Sequence, residues 1–361
     1  MLRILYVAYP LLPVTEASAG GAEQMLSVLE RQMAARGHST VVAACEGSKV
    51  AGQLFATGPA ASAPDPFEER DAEHNARIID YIWRQQRNGP GFDLVHDKSG
   101  HFWKHASAIA LPVLATLHLP RHFYRAELFD SAPANLSFNC VSSAQARTFA
   151  GLKHLVQVVQ NGIEVERFPA TEIKGDYVLW LGRICEEKGA HIAIDVASRA
   201  GVPLVIAGQV YPFSYHQQYF SREILPRLAA AQGRVKFVQA PSVQEKLSLL
   251  QRARALLVPA LVDETSSLVA MEAMACGTPV IAFRRGALPE VIVDGKTGLV
   301  VDTPEEMVAA IPQSGAAITA RECRRRAELC YTANRMASDY EVLYRRILTA
   351  CESETENVRA A

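Results

Sequence analysis

The sequence predicts an α/β protein made of two doubly wound, Rossmann-like domains. Short continuous apolar runs, such as residues 113–117 and 255–258, are typical of strands buried on both faces of a parallel sheet. Segments with apolar residues at helical spacing separate these runs, which is the alternation expected of a parallel α/β domain. The chain of 361 residues is long for one hydrophobic core and holds two such series of similar length.

The first series occupies the amino-terminal half of the chain. Its predicted strands are residues 2–8, 40–44, 92–96, 113–117, 136–141 and 155–159. Residues 67–87 have a helical pattern, whereas the Gly-, Ala-, Ser- and Pro-rich residues 47–66 are interpreted as loop. The first helix follows Gly20 and Gly21, which would let a ligand approach the backbone closely. A flexible glycine loop is the alternative, and the absence of a G-x-G-x-x-G turn disfavours a dinucleotide site.

The second series begins after the turn signal Asn161-Gly162, within a predicted linker at residues 160–175. Its predicted strands are residues 177–182, 203–207, 235–238, 255–258, 280–283 and 298–301. Residues 315–351 are predicted to be helical. The expected parts of the chain are an amino-terminal domain at residues 1–165, a carboxy-terminal domain at 166–335, and a final helix and tail at 336–361.

Charge and composition disfavour several classes of protein. Lys and Arg number 37 against 38 Asp and Glu, and the net charge of −1 gives no support for a nucleic-acid partner. The seven scattered cysteines include no C-x-x-C pair, which is typical of reduced thiols and disfavours zinc. No apolar run approaches the length of a membrane span, and the apolar N-terminus is too short for a signal peptide. We expect a cytoplasmic protein, for which peripheral membrane contact stays open.

Residues 263–279 carry the densest chemical signal. They follow an apolar run, residues 255–258, and contain the carboxylates Glu264 and Glu272 around a predicted helix start. Side-chain oxygens at residues 265–267 could cap that helix. A helix start at the carboxyl end of a strand suits an anion, while the carboxylates suit hydroxyl groups. A nucleotide sugar offers both, although an acidic pair on an ordinary helix is the alternative.

Residues 182–189 carry a second signal, at the end of the first strand of the second series. Arg183 offers a planar fork of donors and Lys188 a mobile point charge, and a helix start follows them. Together these groups suit a diphosphate. The alternative is an ordinary salt bridge of Arg183 or Lys188 with Glu186 or Glu187.

The order of these elements identifies a family. The ordered set is Gly20-Gly21-Ala22-Glu23, Asn161-Gly162-Ile163, residues 182–189, Glu264 and Glu272 separated by seven residues, residues 286–292 and residues 294–298. It resembles the retaining glycosyltransferases of family 4, also called glycosyl transferases group 1. The resemblance covers nearly the whole chain and implies the GT-B fold. In that fold two Rossmann-like domains face each other across a cleft, and a C-terminal helix crosses back to the first.

The resemblance also implies roles for individual residues. The implied catalytic residues are Glu264, His118, Arg183 and Lys188. The implied donor-binding residues are Gly20, Gly21, Arg183, Lys188, Ser266, Ser267, Leu268, Val269 and Glu272. Arg183 and Lys188 would hold the donor diphosphate, Glu272 the ribose hydroxyls, and Glu264 the transferred sugar. His118 would touch the sugar near the reaction centre, where His96, His101 and His122 compete for the role.

The implied reaction moves a sugar from a nucleoside-diphosphate-sugar donor to an acceptor hydroxyl with retention. The leaving phosphate helps to take the acceptor proton, so no dedicated protein base is needed. The sequence has no Asp-x-Asp element, which predicts a metal-independent enzyme without a cofactor, with Arg183 and Lys188 in the metal's role. The acceptor is a glycan, a lipid-linked molecule or a small molecule that the sequence does not identify.

Two departures from the family pattern keep alternatives open. Residues 265–267 are Thr-Ser-Ser where the family usually has Pro-Phe-Gly, and Gln239-Ala240 stand where a glycine is common. The alternatives are a GT-B epimerase-like enzyme, a phosphorylase, a nicotinamide-dependent dehydrogenase and a non-catalytic sugar-nucleotide-binding homologue. No lysine is marked out for the pyridoxal cofactor of a phosphorylase, and the two glutamates have no role in a dehydrogenase.

Overall fold

The protein contains two parallel β-sheets. The computed structural model describes residues 1–16, 18, 20–60 and 67–360, without the side chains of residues 316 and 352–360. The strands are β1 (Arg3–Val7), β2 (Ser39–Ala44), β3 (Gln53–Ala56), β4 (Leu94–Asp97), β5 (Val113–Leu117), β6 (Leu136–Cys140), β7 (Leu155–Val158), β8 (Val178–Leu181), β9 (Leu204–Gly208), β10 (Val235–Gln239), β11 (Ala255–Val258), β12 (Val280–Phe283) and β13 (Gly298–Val301).

Helices connect the strands. They are α1 (Gly21–Ala35), α2 (Phe67–Asn88), α3 (Glu127–Asp130), α4 (Ser143–Thr148), α5 (Ala190–Ala200), α6 (Ser214–Tyr219), α7 (Leu225–Ala230), α8 (Val243–Arg252), α9 (Leu268–Ala275), α10 (Leu288–Val291), α11 (Pro304–Ala317), α12 (Ala320–Cys330) and α13 (Ala333–Ala360). A π-helical turn, Phe220–Ile224, joins α6 to α7. Short 3-10 turns include Glu186–Lys188, directly before α5.

The chain divides into two compact units. Unit 1 comprises Met1–Asn161 together with Ala333–Ala361, and unit 2 comprises Gly162–Thr332. Helix α13 therefore belongs with the amino-terminal part of the chain, as a helix crossing back would. The Arg36 guanidinium ties it there, because it donates to the Asn334 carbonyl oxygen at 2.7 Å and to Ser338 Oγ at 2.8 Å.

The sheet of unit 1 has the strand order β3-β2-β1-β4-β5-β6-β7, with parallel pairing throughout. The order reverses direction between β1 and β4, so a crevice opens outside their carboxyl ends. Strand β3 corrects the interpretation of residues 47–66 as loop. Its residues are half-buried or exposed at the sheet edge, so they lack the continuous apolar run that marks the inner strands. Residues 61–66 of that segment lie outside the described part of the chain.

The sheet of unit 2 has the order β10-β9-β8-β11-β12-β13 and is likewise parallel. Alternate residues of β8 enter different cores, because Trp180 packs on one face of the sheet and Leu179 on the other. Both are buried. The direction of strand order reverses between β8 and β11, which places the loops that follow these two strands at the crevice of unit 2.

Candidate functional site

The two loops at the crevice of unit 2 are those that the sequence singles out. The first contains Arg183 and Lys188 and follows β8; the second contains Glu264 and leads into α9, which carries Glu272. Strands β8 and β11 are direct neighbours in the sheet, paired at Leu179 and Leu256. Their carboxyl ends therefore bring both loops to one place.

The loop after β8 is held against the sheet by its backbone. The indole Nε1 of Trp180 donates to the Lys188 carbonyl oxygen at 3.1 Å, and the Leu261 amide donates to the Glu187 carbonyl oxygen at 2.9 Å. Gly189 follows with φ of +69°, and a Cβ there would lie 2.1 Å from the Pro259 carbonyl oxygen. A glycine is therefore required where this loop turns into α5 beside the neighbouring strand.

The cations of this loop have different partners. Lys188 Nζ lies 2.6 Å from Glu264 Oε1, so the lysine crosses from the first loop to the second. Arg183 lies 3.8 Å from Glu187 Oε1, which is the short-range salt bridge that the sequence left open as an alternative. Within the described chain Lys188 forms no salt bridge with Glu186 or Glu187; its ammonium contacts Glu264, the predicted sugar-facing carboxylate, instead.

The position of Glu264 is fixed by the segment before α10. The Ala287 amide donates to the Glu264 carbonyl oxygen at 2.7 Å, and the Gly286 amide donates to Asp263 Oδ1 at 3.1 Å. Gly286 has φ of +54°, and a Cβ there would lie 2.2 Å from the Glu264 carbonyl oxygen. The close approach of the two backbones sets the direction in which the Glu264 side chain leaves the loop.

Helix α9 begins without a side-chain cap. Ser267 is its N-cap residue, yet its side chain makes no capping hydrogen bond, so the prediction of a capping hydroxyl at residues 265–267 is wrong at that position. Ser266 Oγ is buried without a hydrogen-bond partner in the described chain. The Ser267 side chain therefore does not accept hydrogen bonds from the first N–H groups of α9, at Leu268 and Val269. These N–H groups remain suited to binding an anion.

Glu272 has a partner that sequence reasoning missed. Lys246 Nζ, on α8, lies 2.6 Å from Glu272 Oε1, and the glutamate side chain is only 5% exposed. The lysine also lies 5.7 Å from the centroid of the Phe168 ring. No local pattern identifies this pair, because Lys246 and Glu272 lie on different helices, 26 positions apart.

In unit 1, Gly20 and Gly21 stand at the start of α1, as predicted. Gly20 is the N-cap residue, in an extended conformation and without a side-chain cap. Glu23 lies in the first turn and is buried. A Cβ at Gly20 would meet the Glu23 carboxylate, so a larger residue there would require the Glu23 side chain to move.

His118 directly follows β5, at the carboxyl edge of the unit 1 sheet. Burial and the nearby Lys98 ammonium hold its pKa well below the usual value, so the imidazole is neutral at physiological pH. Of its competitors, His96 is fully buried with both ring nitrogens hydrogen-bonded, to Tyr344 and Thr116. His96 is therefore a core residue, while His122 is exposed on the following turn.

The described residues lack two further features. No helix there is long and apolar enough to cross a bilayer. Likewise, within that part of the chain no cluster of three His, Cys, Asp or Glu side chains has the arrangement of a metal site.

Comparison with known families matches residues 19–314 in two overlapping segments. Residues 19–167 match the family described as Glycosyltransferase Family 4, and residues 164–314 match the family described as Glycosyl transferases group 1. A D-inositol 3-phosphate glycosyltransferase from Corynebacterium urealyticum is 28% identical over 171 residues, which is 42% of this chain and 40% of that protein. The chain thus spans about two fifths of the length of this curated relative.

Solved structures match over nearly the full length. Sucrose-phosphate synthase from Thermosynechococcus elongatus has a TM-score of 0.80 at 21% identity, covering 97% of this chain and 100% of that one. Anabaena HepE in complex with UDP-glucose has a TM-score of 0.72 at 18% identity, covering 98% and 100%. At such identities these likenesses show the fold alone, and they confirm the predicted GT-B class of two Rossmann-like sheets.

Proposed function

Because the chain belongs to glycosyltransferase family 4, we propose that it is a retaining enzyme that transfers a sugar from a nucleoside-diphosphate sugar to an acceptor hydroxyl. The observation that carries the proposal is the ion pair of Lys188 with Glu264 at 2.6 Å. It joins the cationic loop after β8 to the acidic loop after β11, at the crevice where a doubly wound sheet binds its ligand. A complex of a neighbour in fold, HepE, with UDP-glucose supports the donor class.

The donor's charges and hydroxyls have matching groups in unit 2. Arg183, whose side chain is 40% exposed, is available for bidentate contact with the diphosphate, and Lys188 supplies a second positive charge. Backbone amides at Ser267, Leu268 and Val269 complete the anion site at the start of α9. Glu272 accepts hydrogen bonds from the ribose hydroxyls, and Glu264 from the transferred sugar.

The reaction breaks the bond between the anomeric carbon and the diphosphate oxygen, and the electron pair leaves with the diphosphate. Arg183 and Lys188 stabilise that negative charge as it develops. Glu264 stabilises the positive charge at the anomeric carbon of the oxocarbenium-like transition state. The acceptor oxygen attacks from the face that the diphosphate leaves, its proton passes to a phosphate oxygen, and the new glycosidic bond keeps the original configuration.

Unit 1 contributes Gly20, Gly21 and His118. The backbone at Gly20 and Gly21 contacts the diphosphate beside the buried Glu23 carboxylate. His118 hydrogen-bonds a hydroxyl of the transferred sugar, and its lowered pKa keeps it neutral, so it positions the sugar without adding charge. Ser266 and Ser267, which depart from the family pattern, shape the sugar pocket and thereby the choice of donor.

The proposal includes a reaction without a metal cofactor, since Arg183 and Lys188 already supply two positive charges to the diphosphate. Activity should survive EDTA at concentrations that strip Mg²⁺ and Mn²⁺. Loss of activity on chelation, restored by either ion, would contradict this part of the proposal while leaving the transferase assignment intact.

The function is tested by screening UDP-, GDP-, ADP- and TDP-sugars, with NAD as the alternative ligand, for binding by calorimetry, and the nucleotide sugars also for slow donor hydrolysis. The wild type is compared with Glu264→Gln and with Glu305→Gln, an exposed glutamate in a surface pair with Arg199. We expect one nucleotide sugar to bind, and hydrolysis to fall about 100-fold in Glu264→Gln alone. Binding of NAD but of no nucleotide sugar would refute the proposal. Binding without turnover, with any acceptor tried, would favour the non-catalytic homologue.

A further inference from the structure

Unit 1 has a crevice of its own, between the carboxyl ends of β1 and β4, and the buried lysine Lys98 lies at its edge. Lys98 directly follows β4, and its amide donates to the Val7 carbonyl oxygen at 2.9 Å, which continues the pairing with β1. Helix α1, of 15 residues, starts after the loop that leaves β1. In a doubly wound sheet, ligands bind where these two strands diverge.

Lys98 is a buried cation. The residue is 2% exposed, and its Nζ donates to the Tyr340 hydroxyl at 3.1 Å. The same ammonium lies 4.6 Å from the Tyr340 ring centroid. Within the described chain no carboxylate forms an ion pair with it, whereas the half-buried Lys174 of unit 2 donates to two carbonyl oxygens and a hydroxyl.

The polar groups around Lys98 form a network whose hydrogen bonds can all be satisfied without a negative charge. The Tyr344 hydroxyl donates to His96 Nδ1, leaving Nε2–H of His96 to donate to Thr116 Oγ1. Thr116 donates to Asn139 Oδ1, and Asn139 Nδ2 donates to the Tyr340 hydroxyl. Burial raises the pKa of Tyr344 and lowers the pKa of His96, so both are neutral.

A buried ammonium surrounded by neutral partners is costly, since charges inside proteins are normally paired. Lys98 has three N–H donors, of which the tyrosine hydroxyl accepts one. For the two others no acceptor lies within hydrogen-bond distance among the described residues. A negative oxygen is the group that would both use these donors and neutralise the charge.

We propose that Lys98 binds an anionic oxygen group, a phosphate or carboxylate, of a substrate at the crevice of unit 1. The position of Lys98 at the strand divergence and its uncompensated charge both indicate this chemistry. The inference rests on the proposed function only for the identity of the substrate. Two sources present this chemistry: the donor diphosphate, or an acidic group carried by the acceptor.

The test uses full-length Lys98→Met, which keeps the length of the side chain and removes the charge, with Lys174→Met as a half-buried control lysine whose donors all have acceptors. Thermal unfolding is followed while inorganic phosphate is added, in protein saturated with the nucleoside diphosphate that binds best, so that the unit 2 site is already filled. Calorimetry of that nucleotide is run in parallel. Without added phosphate, Lys98→Met should melt no lower than the wild type, because a buried unpaired charge has been removed; Lys174→Met should melt lower.

Two results support the proposal and separate the sources. If the anion belongs to the acceptor, phosphate raises the melting temperature of the wild type and of Lys174→Met but not of Lys98→Met, and nucleotide affinity stays the same. If it is the donor diphosphate, Lys98→Met binds the nucleotide roughly tenfold more weakly or worse. Unchanged nucleotide affinity together with an unchanged phosphate response in Lys98→Met overturns the inference. If the wild type binds no nucleotide sugar, the proposed function fails, and the phosphate titration without nucleotide still tests Lys98.

Discussion

Lys188 Nζ and Glu264 Oε1 lie 2.6 Å apart, although the two residues are 76 positions apart in the chain. The pair joins the loop after β8 to the loop after β11 at the crevice of unit 2. The lysine side chain is 28% exposed and the glutamate side chain 12% exposed, so both reach the surface of the crevice. In the proposed reaction the Lys188 ammonium interacts with both the Glu264 carboxylate and the donor diphosphate. When the donor binds, the ammonium therefore either leaves Glu264 or contacts both anions at once.

Replacement of Lys188 by Met should therefore impair the chemical step more than folding. We expect kcat/KM for the donor to fall about 100-fold or more, because stabilisation of the leaving diphosphate is lost. The free energy of unfolding should fall by no more than about 2 kcal/mol, since the pair is partly exposed. Steady-state kinetics and urea unfolding measure the two effects. Lys236→Met, on an exposed lysine of β10, is the control; an equal loss of activity there would contradict the assignment.

Lys246 should act through Glu272 as a positioning residue. Lys246→Met removes the ammonium that orients this carboxylate, so we expect the donor KM to rise roughly tenfold with little change in kcat. Preference for a ribonucleotide over its 2′-deoxy analogue should shrink, because Glu272 no longer presents its oxygens to both ribose hydroxyls. Competition by the two nucleoside diphosphates measures that preference. Lys246→Arg should restore part of it, and an unchanged preference in Lys246→Met would show that the pair is only structural.

Ser266 should contribute more to donor binding than to the stability of the fold. Its Oγ is buried without a hydrogen-bond partner in the described chain, so Ser266→Ala should change the free energy of unfolding by less than about 0.5 kcal/mol. If the hydroxyl contacts the donor sugar, the KM rises several-fold. Thr303→Ala is the control, because Thr303 Oγ1 caps α11 by accepting from the Glu306 amide, and its loss should cost about 1 kcal/mol. A destabilisation of Ser266→Ala as large as that of Thr303→Ala would contradict the prediction.

Sequence reasoning located the inner strands because they are buried on both faces. The predicted residues 113–117, 255–258, 280–283 and 298–301 coincide with β5, β11, β12 and β13. The edge strand β3 was missed because Gln53 and Ala56 are exposed and the surrounding sequence is typical of a loop. The apolar pattern of a sequence reflects burial. An edge strand is too exposed to show the continuous apolar run that marks an inner strand.

The sequence predicts which residues form the candidate site, but it does not predict which of them contact each other. Loop position and residue type indicated Arg183, Lys188, Glu264 and Glu272. The partners of these charges depend on which strands lie side by side, and local spacing favours only short-range pairs such as Arg183 with Glu187. Lys246 was missed for the same reason, because only the packing of α8 beside α9 brings it to Glu272.

His74 should make the fold sensitive to mild acid. It is 2% exposed, with Nδ1 hydrogen-bonded to Thr57 Oγ1 and Nε2 to the Ala8 carbonyl oxygen, and burial lowers its pKa from 6.5 to about 4. Because the folded-state pKa is the lower one, the stability from neutral His74 is complete above pH 6.5 and is lost as the pH falls toward 4. The loss is roughly 1.4 kcal/mol per pH unit in that window. The free energy of unfolding, measured with urea at several pH values, should fall less steeply with decreasing pH in His74→Gln than in the wild type. Equal pH dependence in the two proteins would show that His74 is not the source of the acid sensitivity.

A side chain in place of Gly286 should strain the backbone and displace Glu264. Gly286 has φ of +54°, and a Cβ would lie 2.2 Å from the Glu264 carbonyl oxygen and 2.6 Å from the Glu264 amide nitrogen. Gly286→Ala therefore adds a clash to the unfavourable backbone conformation, and the Glu264 loop has to move to relieve it.

Gly295→Ala is a matched control, because Gly295 has φ of +71° and open space around its Cβ position. Both variants should lose about 1 kcal/mol or more of stability from the positive φ. Only Gly286→Ala should also lose donor hydrolysis at a temperature where both are folded, since a displacement of about 1 Å at the reacting centre can cost 100-fold in rate. Equal hydrolysis by the two variants would mean that this backbone contact does not position Glu264.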